Sequence, residues 1–359
     1  MDRRLDANEA AEGPREEDPG APEPLERAEY DAAELMAAYP PRIHDRNKRV
    51  VFEIACPGGR GPTGPVGFSR WRAMALPATV DPAPAAGLVE IRDGFYDYEP
   101  LGLGGAVEWH VNFADPSLFV AYGSGLLAQD ELQVAEHPVL GALLEALRAE
   151  GRGDRTVDLD GTPTPVLVTG AERRVRLETD PNPAAGRPDG LYGNRFRVAP
   201  VEVVRRATIR LEPAPRTNLI AMAAPPGGFG RYRADEIETI LVTAFTGFRA
   251  AVLESARVVR GSEGRAMTAE PAGRPTVVVH TGYWGCGAFG GNRELMALLQ
   301  VVAAGLAGLD RLGFHAGTVG RGPIEAALER LKGMAARPTA DFIEAVARIG
   351  YVWGVSDGT

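Results

Sequence analysis

Lysine is almost missing from this chain of 359 residues, with Lys48 and Lys332 the only two among 39 basic residues. That leaves few candidates for Schiff-base chemistry. Cysteine is equally scarce. Cys56 and Cys286 stand far apart, which excludes a disulfide framework and a cysteine metal motif and suggests a reducing compartment. No run approaches the roughly 18 apolar residues that cross a bilayer. The start Met1-Asp-Arg-Arg-Leu-Asp6 also lacks the apolar segment of a signal peptide. The chain therefore reads as soluble and cytoplasmic. A basic stripe is absent as well. The formal net charge is −9, of which residues 1–29, with ten acids and four arginines, hold −6. Duplex DNA or RNA is therefore not an expected partner. Familiar catalytic signatures are missing too. No Gly-x-Ser-x-Gly elbow occurs, and Gly123-Ser-Gly125 is too short to be one. The histidines at 44, 110, 137, 280 and 315 are scattered, without the spacing of a zinc site.

What is present is a chain able to bury a large core, 45% hydrophobic and 24% charged. Its acidic, proline- and alanine-rich start reads as a disordered tail over 1–28. Residues 29–85 then form an accessory part and 86–359 a main core. Alternation of apolar residues predicts strands at Val50–Ile54, Gly87–Ile91, Ala106–Phe113, Pro165–Thr169, Val201–Arg210, Asn218–Ala223, Thr276–His280 and Leu312–His315. Helical periodicity falls at Glu29–Ala38, Leu126–Arg148, Ala234–Arg257, Arg293–Leu306, Pro323–Met334 and Thr339–Gly350. The second half thus predicts a mixed α/β sheet with helices on both faces. Segments 151–162 and 179–193, rich in glycine, proline and aspartate, read as surface insertions.

The most informative stretch is Thr281-Gly-Tyr-Trp-Gly-Cys-Gly-Ala-Phe-Gly-Gly291, five glycines set between a β-type run and a helix-type run. Glycines let the backbone approach a ligand, and N–H groups near a helix start favour an anion such as a diphosphate. Neither a P-loop nor a Rossmann spacing accounts for it. The wording closely resembles the C-terminal signature of poly(ADP-ribose) glycohydrolases, Thr-Gly-Asn-Trp-Gly-Cys-Gly-Ala-Phe-Gly-Gly, from which only Tyr283 departs. A second family signature is a glycine triplet followed by Gln-Glu-Glu in a segment opening Asp-Phe-Ala-Asn. Here the chain reads Asn112-Phe-Ala-Asp115, then Gln129-Asp130-Glu131, with Phe119-Val120-Ala121 where the triplet falls.

The resemblance implies a macrodomain-like fold and hydrolysis of an O-glycosidic bond of ADP-ribose, with no cofactor and no metal. Carried over by position, Glu131 is the acid and base of catalysis and Asp130 its neighbour. Asn112, Asp115, Gln129, Gly285, Cys286, Gly287, Ala288, Phe289 and Gly290 would bind substrate. Val166–Gly170 with Glu172 resembles another family strand, but Arg173 follows where the family carries adenine-facing tyrosines, so an arginine would stack or meet phosphate there instead. The loop Pro225–Gly230, with Arg231 and Arg233 after it, would share the rim. Two alternatives remain open at this level: a non-catalytic ADP-ribose-binding module, and a diverged glycohydrolase acting on a small NAD- or ADP-ribose-derived glycoside.

Overall fold

The computed structural model describes residues 22–263 and 274–358. In chain order its elements are β1 (Pro24–Asp31), α1 (Ala32–Ala38), α2 (Arg46–Ala55), β2 (Pro65–Trp71), β3 (Thr79–Val80), α3 (Pro82–Ala85), β4 (Val89–Arg92), β5 (Val107–Phe113), α4 (Gln129–Glu136), α5 (Val139–Glu150), β6 (Val166–Glu172) and β7 (Val175–Leu177). They continue as α6 (Arg195–Val198), α7 (Val201–Ala207), β8 (Thr208–Arg210), β9 (Arg216–Met222), α8 (Ala234–Glu263), β10 (Val277–Gly282), α9 (Arg293–Ala307), β11 (Arg311–His315), α10 (Gly322–Lys332), β12 (Arg337–Pro338) and α11 (Thr339–Ile349). Eight strands form one sheet in the order β1-β2-β6-β9-β5-β10-β11-β4. From β9 to β4 the strands are parallel, whereas β1, β2 and β6 extend the sheet antiparallel beyond β9. The mixed α/β fold expected from the sequence is therefore present.

Strand alternation sorts the side chains onto two unlike faces. Trp109, Val111, Ile220, Met222, Val277, Val279, Leu312 and Phe314 share one core with the apolar stripes of α8 and α9. Opposite them, Val166, Val168, Leu219 and Ala221 pack on α5, whose Leu140, Leu143, Leu144 and Leu147 are fully buried. Beyond β9 that second face changes character, because the parallel strands present His110, Asn112, His280 and His315, all buried.

Four expected elements are corrected. Val50–Ile54, read as a strand for its Val-Val-Phe-Glu-Ile run, lies in α2, where the Asp45 side chain caps the backbone N–H groups of Asn47 and Lys48. The run Val201–Arg210 splits into α7 and the short β8. The helix expected over Leu126–Arg148 is two helices, broken at His137–Pro138 because proline lacks an N–H and disfavours the helical conformation of its predecessor. Glu29–Ala38 is the end of β1 followed by α1, with Asp31 as the cap. The tail expected over 1–28 lies outside the described residues up to position 21. Beyond that, Pro24–Asp31 pair with β2 as the edge of the main sheet.

The corrected α2 has a buried anchor. Asn47 is fully buried, and its amide donates to the carbonyls of Phe196 and Ala199 at 2.7 and 3.0 Å. Asn47→Ala leaves both carbonyls buried and unpaired, so urea denaturation is expected to show a loss of about 1–3 kcal/mol. A change within experimental error would mean that α2 does not depend on this anchor.

Candidate active site

The site begins where the sheet parts. Pairing between β5 and β10 ends at His110 and His280, although β5 runs on to Phe113 and β10 to Gly282. The main chain freed on β5 is satisfied by side chains instead. The Gln129 carboxamide donates to the Val111 carbonyl at 3.1 Å and accepts the Phe113 N–H at 2.7 Å. The Tyr96 hydroxyl reaches the carbonyls of Val111 and His280 across the gap. Such a parting at strand C-termini is where open α/β sheets take ligands.

Gln129 also opens α4, so the same contacts fix that helix start over the gap. Asn112, wholly buried, donates from its carboxamide to Asp130 Oδ1 and Gln133 Oε1, each at 3.0 Å. Glu131 Oε2 accepts the Ala128 N–H at 3.0 Å, closing the first turn of the helix. Asp130 and Glu131 are both buried. Burial is the main force on each carboxyl. It pushes Asp130 well above the usual range, with the Glu131 charge adding to the shift. Glu131 is also raised, opposed first by the Lys48 ammonium and then by N–H groups at the helix start. Asp115 stands electrostatically beside both, its own carboxylate accepting the Ser117 N–H at 2.9 Å. A carboxyl in this state is suited to donate a proton near neutral pH.

The loop Gly285–Gly291 follows β10. Its Gly287, Ala288 and Phe289 N–H groups meet no acceptor among the described residues. Cys286 points inward, with its thiol on the Trp284 carbonyl and pushed up to about 12 by burial, and its N–H donates to the Tyr283 carbonyl at 3.1 Å, so both of its donors are engaged within the protein. Trp284 is core, its indole N–H donating to Met222, while Phe289 is half-buried against the same core. Asn292 caps the following α9 by accepting the Leu295 N–H.

The C-terminal segment crosses this loop. The Gly354 N–H donates to Gly290 at 2.7 Å, the Asp357 N–H to Gly287 at 3.4 Å, and Asn194 donates from the far side to Gly358 at 2.9 Å. Gly290 has a φ of 65°, and a Cβ there would lie 3.0 Å from the Gly354 carbonyl. That glycine thus serves the crossing chain rather than a ligand alone. Tyr192 joins the two walls: the Gln129 N–H points to its phenol, and Glu131 and Asp357 both act on it electrostatically.

Other expected contacts lie elsewhere. Arg173 is buried, its guanidinium 3.9 Å from the Tyr98 ring centroid and 2.7 Å from Glu136, so it is engaged inside the protein. Arg233 pairs with Asp235 and Glu236. The histidines are not scattered. His110 stacks on His280 at 4.4 Å, His280 lies 3.1 Å from His315 and 2.9 Å from Glu108, and Tyr98 contacts His110 and His137. Parallel register brings them together, because His110 and His280 are direct partners and His315 sits beside Gly282. Among the described residues no group of three or more histidine, cysteine or acidic side chains is arranged to hold a metal. Sequence reasoning did not reach Lys48, Tyr192 or Asp357. Of these only Lys48 left a signal, as a lysine just after a capping aspartate in an arginine-rich chain.

Fold and site together define a mixed α/β protein of macrodomain type, with its cleft at the C-terminal ends of parallel strands. Residues 192–318 match the family model described as poly(ADP-ribose) glycohydrolase, macro domain fold. Over that span, which holds the glycine motif, the chain is thus similar to that family. The matched span contains the glycine loop and stops short of Gln129–Glu131. Among solved structures it is similar to poly(ADP-ribose) glycohydrolase from Thermomonospora curvata bound to the inhibitor ADP-HPD, at 17% identity over 83% of this chain and 97% of that one, with a TM-score of 0.40. It is also similar to the Deinococcus radiodurans enzyme in complex with ADP-ribose, at 16% identity over 70% and 89% of the two chains, with a TM-score of 0.36. No curated protein matches the sequence. No helix among the described residues is long and apolar enough to cross a membrane.

The buried histidines make stability sensitive to acid. Burial holds His137 down at about 3, against about 6.5 in an unfolded chain. Its neutral form therefore supports folding above pH 6.5, and that support is lost as pH falls from 6.5 towards 3. Relative to His137→Leu, the wild type should lose about 1.4 kcal/mol per pH unit across that window. Denaturation of both proteins at pH 7, 6 and 5 checks this, and parallel curves would exclude it.

Proposed function

We propose that this protein hydrolyses an O-glycosidic bond at the anomeric carbon of an ADP-ribosyl unit, with Glu131 as general acid and then general base. The observation that carries the reading is the buried Asp130–Glu131 pair, raised in pKa and held over the parted strands beside a glycine loop with free N–H groups. Oε2 of Glu131 accepts the Ala128 N–H, leaving Oε1 to carry the proton. Oε1–H protonates the leaving oxygen as the C–O bond breaks through an oxocarbenium-like state. The resulting carboxylate takes a proton from the water that attacks the anomeric carbon. Asp130, bound to Asn112, has its own proton affinity raised by burial and by the Glu131 charge beside it. The Gly287–Phe289 N–H groups are the proposed diphosphate donors, with Asn112, Asp115 and Gln129 shaping the opposite wall. The division into an accessory part over 29–85 and a core over 86–359, and a cytoplasmic setting, belong to the same proposal.

One observation favours the binding-module reading. Where the family's glycine triplet falls, Phe119 is wholly buried and holds a φ of 50°, a conformation that favours glycine. The turn is thus kept while its side chain is spent on the core.

Glu131→Gln keeps shape and removes proton transfer, so release of free ADP-ribose from mono- and poly-ADP-ribosylated substrates should fall about 10²–10⁴-fold with binding retained. Asp130→Asn should cost less. Turnover that survives in Glu131→Gln sinks the mechanism, and binding without turnover in the wild type selects the module.

Gly287 does not occupy the left-handed region, so Gly287→Val adds no left-handed backbone strain. It should crowd the donors and weaken ADP-ribose binding by roughly 1.5–3 kcal/mol for each charge-assisted bond lost. Calorimetric titration reads the loss, and unchanged affinity in a folded variant places the ligand elsewhere.

A further inference from the structure

We propose that Lys48 is a positioning residue for the Asp130–Glu131 pair. Its ammonium is the buried counter-charge that lets one carboxyl stay ionised while the other holds a proton, and its hydrogen bond to Tyr122 fixes the loop entering α4. The proposal rests on the reading of Glu131 given above.

Lys48 is only 2% exposed, in the first turn of α2, and its Nζ donates to the Tyr122 carbonyl at 2.8 Å. Both partners are immobilised. Asp45 accepts the Lys48 N–H at 3.0 Å, and the N–H groups of His44 and Asp45 donate to the Gly123 carbonyl at 2.9 and 3.1 Å. The Tyr122 phenol donates to Glu145 and accepts the Arg42 N–H, at 2.8 and 2.7 Å. The ammonium is therefore held at the base of the segment that delivers Gln129, Asp130 and Glu131.

The charged groups that act on it through space are Glu131 and Asp130 on α4 and Asp45 at its own helix cap, while its direct partner is the Tyr122 carbonyl. The carboxyl pair in turn faces Asp115, and Glu131 shares Tyr192 with Asp357. Apart from Lys48, every charged group in this set is acidic, so without its ammonium the pair would crowd negative charge in a dry place. In a chain that uses arginine almost throughout, the exception matters physically. An ammonium is a compact charge that fits a narrow space and gives up its proton when buried, which a planar guanidinium does not. Burial pulls Lys48 down to about 8, against the acidic groups that hold it up, so its charge is lost in mildly alkaline solution.

The test uses the full-length chain as wild type, Lys48→Met and Lys48→Arg. Carboxyl-carbon NMR titration of Asp130 and Glu131 is paired with the pH dependence of ADP-ribose release. In Lys48→Met the carboxyl midpoints should rise by about one pH unit or more, and kcat should fall roughly tenfold with KM within about twofold. Lys48→Arg should keep the midpoints near wild type, recover most of kcat and abolish the alkaline limb near pH 8, because arginine does not titrate there. Midpoints unchanged in a folded Lys48→Met, or an alkaline limb that persists in Lys48→Arg, overturn the proposal. If Lys48→Met does not fold, Lys48→Arg alone decides through its limb. A wild type without turnover removes the glycohydrolase reading, and the NMR midpoints still decide for Lys48.

Discussion

Everything in the cleft depends on how the sheet pays for parting β5 from β10. A central strand that loses its neighbour exposes N–H and C=O groups that must find other partners. Here Gln129 and Tyr96 supply them, and Asn112 binds the next turn of α4 from below. Opening the gap and placing the acidic pair are consequently one event. A helix start that satisfies the main chain of β5 must set Asp130 and Glu131 within a turn of it, away from water.

That placement explains why the two acids differ. Asp130 is bound by an uncharged amide and raised by its neighbour's charge, whereas Glu131 answers both to a cation and to a backbone N–H. In so close a pair the protons belong to the two carboxyls together rather than to either one alone. The layer beyond follows the same economy. His137, His110 and Arg173 sit where helices cover the rest of that face, and aromatic stacking on Tyr98 takes the place of apolar side chains.

The glycine loop was legible in the sequence because its chemistry is local: eleven consecutive residues define turn, approach and helix start together. Gln129-Asp130-Glu131 was legible through spacing from Asn112, and the buried Asn112 contact gives that spacing its physical cause. Lys48 was not, because its helix carries a β-branched run that outweighed the Asp45 cap. The gathered histidines were hidden for another reason. They lie on different strands, and only the register of a parallel sheet, which no single segment encodes, brings His110 against His280. Arg173 likewise follows a recognisable strand, yet β6 runs antiparallel to β9 and so delivers it away from the parted strand ends.

The crossing of Gly354–Gly358 over the glycine loop has a consequence for assembly. The segment that carries the acidic pair is anchored from residue 48 and the glycine loop is crossed by residue 357, so the contacts around the cleft span most of the polypeptide. During synthesis the core of β5, β9 and α5 can pack while those last residues are still to be made. Contacts of such long sequence separation form late in folding. The cleft therefore acquires its final shape only after the sheet beneath it exists, and a nascent chain halted before Tyr351 would carry the acidic pair and the glycine loop with nothing drawn across them.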